Sequence, residues 1–211
     1  MTQLPWQDNL LEDPSLTDIR FTEIEALKNG KALTYPTNPS SRPGTIVFMP
    51  PTHPTPALHL YLIQKARKLE IQNYLWEHKG IQDAIVARKA KQPDWDVKVL
   101  VNRNSYVNPG GTRDMILTAP ALKQKDWFIL GTGEGDVNAK SAGRILHRKA
   151  MIVDGVWFIH GSTNLEASSM EFQGNTLSIT YDPALCAEMQ KAFDRTRAYN
   201  IAKGRSWYQV P

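Results

Sequence analysis

The 211-residue sequence predicts an α/β protein, a mixed, largely parallel β-sheet flanked by helices. Two observations carry that expectation. From Thr45 onward, short apolar runs alternate with amphipathic stretches of helical period, an order that gives parallel strands joined by right-handed crossovers. Past residue 143 the order changes to closely spaced β-type runs joined by Asp154-Gly155, a pair favoured in tight two-residue hairpins.

Residues 1–44 read as an N-terminal extension and 45–211 as the principal domain. The extension holds one helical stretch over 16–29, stopped by Gly30, and then Pro36, Pro39 and Pro43, which interrupt regular structure. The domain opens with a β-type run over 45–49, ended by Pro50-Pro51. A helix over 55–68 follows, with Leu58, Leu62 and Ala66 on one face. A strand over 70–76, a helix over 81–90 and a strand over 97–101 complete the alternation. The Asn108-Pro109-Gly110-Gly111 run makes 104–113 a loop. A helix over 114–125 and a short strand over 127–130 come next, and the polar, Gly-rich stretch 131–143 is a second loop. Strands over 144–153, 156–159 and 176–180 and a helix over 183–199 finish the sheet.

Hydrophobic residues make up 41% and charged residues 22%, the balance of a soluble globular chain. No apolar run approaches the ~20 residues that span a bilayer, so no stable membrane insertion is expected. The N-terminus lacks the basic-then-apolar pattern of a secretory signal. Cys186 is the only cysteine, which rules out an intrachain disulfide and the cysteine-rich zinc patterns; a reducing, cytoplasmic setting is the expectation. The net charge of +4 suits an anionic partner without specifying one.

The chemistry is concentrated in one stretch. His147-Arg148-Lys149-Ala150-Met151-Ile152-Val153-Asp154 has the form H-x-K-x4-D, and Gly161-Ser162-Thr163-Asn164 follows after six intervening residues. Six fixed residues at fixed spacing arise by chance in a chain of this length with odds on the order of a few in a million. On a strand, His147 and Lys149 point the same way. The hairpin at Asp154-Gly155 returns the chain beside them and delivers Ser162 and Asn164 to the same mouth. An ammonium, a hydroxyl and an amide then suit a tetrahedral phosphate, and His147 is the member able to act as nucleophile or proton carrier near neutral pH. No Asp, Glu or His group has metal-ligand spacing, so neither a metal nor another cofactor is expected.

This stretch resembles the signature of the phospholipase D superfamily, H-x-K-x4-D-x6-G-S-x-N. The resemblance covers 45–211 and is most specific over 147–164. It implies a phospholipase D-like αβα sandwich and a metal-independent phosphodiesterase with a phosphohistidine intermediate. His147 and Lys149 then match the catalytic positions, and Lys149, Ser162 and Asn164 the phosphate-binding ones. Asp154 matches the motif aspartate, counted with the catalytic motif but implied to hold the hairpin. None of His53, His59, His78 and His160 begins a second motif. Single-copy members resemble nucleases that pair two subunits about a twofold axis, so a homodimer with a shared site is implied; pairing with a different chain stays open.

Family members often carry a glutamate about eleven residues beyond the motif asparagine, where it orients the catalytic imidazole. This chain has Asn175 there, with Glu171 nearby as a substitute. Nucleic acid is the preferred substrate; a lipid phosphodiester and a catalytically silent binding module are the alternatives. Other features have plainer explanations. Gly131 to Asp136 lacks dinucleotide-loop spacing. Arg67, Lys68, Arg88, Lys89 and Lys91 read as solvated helix faces, Trp76, Trp95 and Trp127 as packing residues, and Cys186 as buried and inert.

Overall fold

The structure, a computed structural model, describes residues 45–48, 55–107, 111–122, 127–133 and 145–202. The extension over 1–44 with its expected helix, and most of the loop expected over 131–143, lie outside the described residues.

In chain order the elements are β1 (Thr45–Phe48), α1 (Pro56–Lys65), β2 (Lys68–Asn73), α2 (Lys79–Lys91) and β3 (Asp96–Asn102). Then come α3 (Arg103–Val107), α4 (Gly111–Leu117), a 3-10 turn at Pro120–Leu122 and β4 (Phe128–Gly131). The second half holds β5 (Ala150–Val153), β6 (Trp157–Gly161), a single π-helical turn at Ser168–Phe172, β7 (Leu177–Tyr181) and α5 (Pro183–Ala202).

The seven strands among the described residues form one sheet in the order β1-β7-β6-β5-β2-β3-β4. The α/β expectation holds, with one correction to the word "parallel". Five strands run in one direction and only β5 and β7 oppose them. Yet only β2–β3 and β3–β4 are parallel neighbours, because the opposed strands are inserted between the others. β1, expected beside β2, pairs instead with β7 at the far edge.

Burial explains both the register and the layering. Leu58, Leu62, Ile63 and Ala66 of the α1 region, with Ile81 and Ile85 of α2, pack on Leu69, Ile71, Val97, Val99, Met151, Val153 and Ile159. The opposite face carries α5, where Phe193 meets Leu100, Ile129 and Leu146, and Cys186 meets Ile152 and Phe158. Each fully buried aliphatic side chain contributes roughly 1.5–3 kcal/mol. β3 sets Val97, Val99 and Val101 on one face, while the other carries Lys98, Leu100 and Asn102, of which Leu100 packs with Phe193 of α5. Trp76, Trp95 and Trp127 are all buried, as expected. Burial and the neighbouring Asp182 push the Cys186 thiol up to about 11, so it stays protonated and inert.

Boundaries moved where side chains cap the backbone. α1 ends at Lys65, short of 68, because the N–H groups of Arg67 and Lys68 turn to the carboxylate of Asp154. β2 ends at Asn73, whose Oδ1 accepts from Leu75 N and draws the chain out of the sheet. His78 caps α2, accepting from Ile81 N at 3.3 Å. The segment expected as a loop over 104–113 contains two short helices instead. Asn102 Nδ2 donates to Ser105 Oγ, Ser105 Oγ donates to the Tyr74 carbonyl, and Glu77 Oε1 accepts from Thr112 N and Oγ1, so partners that are mostly distant in sequence tie down these helix ends.

The hairpin is where the sequence places it. Asp154 (φ 53°) and Gly155 (φ 70°) both occupy the left-handed region. Val153 pairs with Trp157, so the connection has three residues rather than two. The basic residues expected to be solvated are partly engaged: the Arg88 guanidinium reaches the Ile63 carbonyl and lies 4.1 Å over the Trp95 ring, and Lys89 Nζ donates to the Trp95 carbonyl.

Candidate active site

The register gathers the motif at one rim of the sheet. The C-terminal ends of β2, β3 and β6 reach it, and β5 and β7 start from it. In open α/β sheets, ligands bind at this kind of rim, beyond the carboxyl ends of the strands. The regular part of β5 begins at Ala150, so His147 and Lys149 lie on the approach to the strand and not within it. Their side chains nonetheless continue the parity of Met151 and Val153, the face covered by α1 and α2. Two bonds fix the approach: Asn102 Oδ1 accepts from Leu146 N at 3.1 Å, and the Lys149 carbonyl accepts from Gly161 N at 3.3 Å.

The His147 ring is exposed. Lys149 Nζ stands 3.3 Å from each of its ring nitrogens and donates to the His147 carbonyl at 3.1 Å. Tyr74, just past β2, tilts against the imidazole with centroids 4.8 Å apart, and Lys149 Nζ lies 5.3 Å from the Tyr74 centroid. Partial burial lowers the Lys149 ammonium from its ordinary value, an effect the Glu166 carboxylate opposes.

Gly161 admits no side chain, because a Cβ would run into the Thr176 carbonyl oxygen. That close approach locks the return strand: Ser162 N donates to the Thr176 carbonyl at 2.9 Å, and Ser162 Oγ accepts from Thr176 N at 3.0 Å. The hydroxyl proton of Ser162 can still be donated. Asn164 is held through its backbone, its N–H donating to Ser169 Oγ at 2.8 Å. Its Oδ1 is buried and has no hydrogen-bond partner among the described residues.

The structure therefore brings His147 and Lys149 into contact and sets Ser162 and Asn164 just past the end of the adjoining strand β6, while Asp154 lies apart. It sits at the opposite end of β5, where Oδ1 accepts from Arg67 N at 2.7 Å and Lys68 N at 2.9 Å. Grouping Asp154 with the catalytic residues is thus corrected: it anchors the hairpin to the α1–β2 corner.

The two residues considered for orienting His147 are also corrected. Glu171 pairs with His78, Oε1 to Nε2 at 3.7 Å. Asn175 Nδ2 donates to Ser169 O at 3.1 Å, to Ser169 Oγ at 3.0 Å and to Gln173 Oε1 at 3.3 Å. Asn175 thus braces Ser169, which in turn braces Asn164; its described contacts do not reach His147.

Sequence reasoning missed Tyr74 and Glu166. Nothing around Tyr74 marks it, since its place beside the imidazole follows from the β2–β5 pairing alone. Glu166, two residues beyond Asn164, was the more legible of the two. Its carboxyl is raised from the ordinary range, first by burial and then by the neighbouring Glu77; hydrogen bonds from Ser168 and Asn164 and the charge of Lys149 oppose the shift. It joins Asn164 to Lys149 electrostatically.

Known proteins share both the sequence pattern and the fold. The family described as "Cardiolipin synthase, PLD-like domain" matches residues 60–197. Among solved structures, NucT from Helicobacter pylori is similar with a TM-score of 0.61 at 20% identity, over 74% of this chain and 96% of that one. A phospholipase D family member, Nuc from Salmonella typhimurium, is similar with a TM-score of 0.58 at 21% identity, over 75% and 96%. No curated protein matches the sequence. The family match over most of the chain, together with a fold shared with Nuc and NucT, shows that the chain belongs to the PLD-like domain family of the phospholipase D superfamily of phosphodiesterases.

Proposed function

We propose that the protein is a nuclease that cleaves DNA or RNA without a metal, through a phosphohistidine at His147, in a site shared by two copies of the chain. The observation that carries this reading is the exposed His147 ring with the Lys149 ammonium 3.3 Å from its nitrogens at the open rim of the sheet. The likeness of fold to Nuc and NucT supports the choice of nucleic acid. No helix among the described residues is long and apolar enough to cross a membrane, and this gives the lipid alternative no anchor there.

In the first step a ring nitrogen of His147 uses its lone pair to attack phosphorus. The bond to the leaving oxygen breaks, and that oxygen takes the proton of the protonated His147 ring of a second copy. In the second step this neutral imidazole removes a proton from water, the hydroxide attacks phosphorus, and the P–N bond breaks with its electron pair returning to His147. Lys149, Ser162 and Asn164 stabilise the non-bridging oxygens as charge develops on them. Asp154 holds the hairpin that keeps β5 and β6 in register. A chain with one such histidine needs a second copy to supply the acid, so a twofold axis through the rim is part of the reading.

The test incubates purified protein and His147→Ala with labelled DNA, RNA and phosphatidylcholine vesicles in excess EDTA. Nucleic-acid cleavage that is lost in the variant is expected. Cleavage of lipid alone would turn the reading to the lipid enzyme, and inactivity on all three to the silent binding module.

A further inference from the structure

Beside the rim, on the α5 side, the described residues line an open cavity of about 260 Å³ whose walls include His147, Arg148, Arg195, Thr196, Leu146 and Gly133. We propose that this cavity is a second phosphate subsite, which takes the phosphate next to the scissile one in a polynucleotide strand. The inference rests on the nuclease reading and deepens it by naming a length of substrate that must be engaged.

The alternation of side chains divides the work across the sheet edge. Lys149 has the parity of the α1 and α2 face and His147, at the rim, borders the cavity as well, whereas Leu146 packs with Phe193 of α5 and Arg148 Nη1 reaches Gln72 Oε1 at 3.4 Å. One residue of backbone thus separates the group that binds the reacting phosphate from a guanidinium on the other side. Arg195 of α5 closes that side. Among the described residues two guanidiniums and no carboxylate line the cavity, so these walls favour an anion, and guanidinium is the side chain best matched to phosphate oxygens.

The walls are built before any ligand arrives. Asn200, fully buried, accepts from Thr132 N at 2.9 Å and donates to Thr132 O at 3.0 Å, which fixes the turn into Gly133. A Cβ at Gly131 would strike the Asn200 amide and Leu100. Asn102 pins Leu146 on the other side, and Thr196, 2% exposed, ties its hydroxyl to Ala192 O.

The opposite flank of the rim does not suit a polyanion. The cavity there, about 490 Å³, is lined by Glu77, Asp83 and Glu171 together with His78 and Lys79. A strand whose scissile phosphate sits on His147 is therefore drawn toward Arg148 and Arg195 and repelled from the carboxylates.

The experiment compares kcat/KM on bis(p-nitrophenyl) phosphate, which has one phosphodiester and no flanking phosphate, with kcat/KM on a single-stranded oligonucleotide. The proteins are wild type, Arg195→Gln, Arg195→Lys and Arg148→Gln, with thermal melts to confirm folding. The ratio of oligonucleotide to small-ester efficiency should fall about ten- to a hundredfold in each Gln variant, with partial recovery in the Lys variant. The slope of log kcat/KM against log salt on the oligonucleotide should drop by about one in the Gln variants. An unchanged ratio with normal oligonucleotide cleavage overturns the subsite and leaves the nuclease reading standing. Wild-type protein that cleaves the small ester but not the oligonucleotide overturns both.

Discussion

The Lys149 ammonium touches both faces of the chemistry assigned to His147, standing 3.3 Å from each ring nitrogen and 3.1 Å from the residue's own carbonyl. In the proposed mechanism it is close enough to reach the oxygens of a phosphorus bonded to that ring. There this side chain receives the charge that the nucleophile generates.

Substitution should separate these roles. His147→Ala should lose at least about a thousandfold in kcat, since the covalent route is gone. Lys149→Ala should lose about a hundred- to a thousandfold, the scale of a removed transition-state donor. Both rings and stems are at the open rim, so thermal midpoints should move little. Steady-state kinetics beside melts checks both statements.

Asp154 should behave in the opposite manner. Its carboxylate accepts two backbone N–H groups, and charge-assisted bonds are each worth about 1.5–3 kcal/mol. Asp154→Ala should destabilise the fold by about 2–4 kcal/mol in urea titrations while the folded fraction keeps its kcat. Asp154→Asn, which tolerates the left-handed φ of 53° and retains an acceptor, should lose less.

Much of this was legible in the sequence, and the exceptions share a cause. The Asp154-Gly155 hairpin, the core face of Leu58, Leu62 and Ala66, and the convergence of His147 with Lys149 follow from local rules of turn chemistry and periodicity. The place of β1 beside β7 does not, because a four-residue strand carries no sign of which edge it joins. The helices around Ser105 and Thr112 were hidden by the Asn-Pro-Gly-Gly run, since the bonds that cap them come from Tyr74, Glu77 and Asn102 across the chain. Asn175 was read from its spacing alone; in the structure Ser169 takes its amide.

His59 gives the fold an acid-sensitive element. The ring is buried and bonds through Nδ1 to the Thr55 carbonyl at 2.7 Å, and burial pulls its pKa down to about 4. The unfolded chain, with its histidine near 6.5, binds the proton more readily between these values. Stability from this group is therefore complete above pH 6.5 and is lost as pH falls toward 4, by about 3 kcal/mol. Urea titrations at pH 7, 5.5 and 4.5 should show the loss, and it should be reduced in His59→Gln.

Glu166 works in the other direction. Its carboxyl is raised by burial and by Glu77, so the folded state holds that proton more tightly than the unfolded one. The stabilisation is present below the ordinary carboxylate range and is lost as pH rises through the raised value. Glu166→Gln should therefore be more stable than wild type at neutral pH, with the difference shrinking toward pH 4, as thermal midpoints across that range would show.

Covalent trapping tests the central claim most directly. The protein is mixed with substrate in EDTA, quenched within the first turnovers and digested, and the peptides are mapped by mass spectrometry. A phosphoryl adduct on the His147 imidazole, absent from His147→Ala, is the expected result; an active enzyme with no adduct there, or one that turns over only with added magnesium, would contradict it.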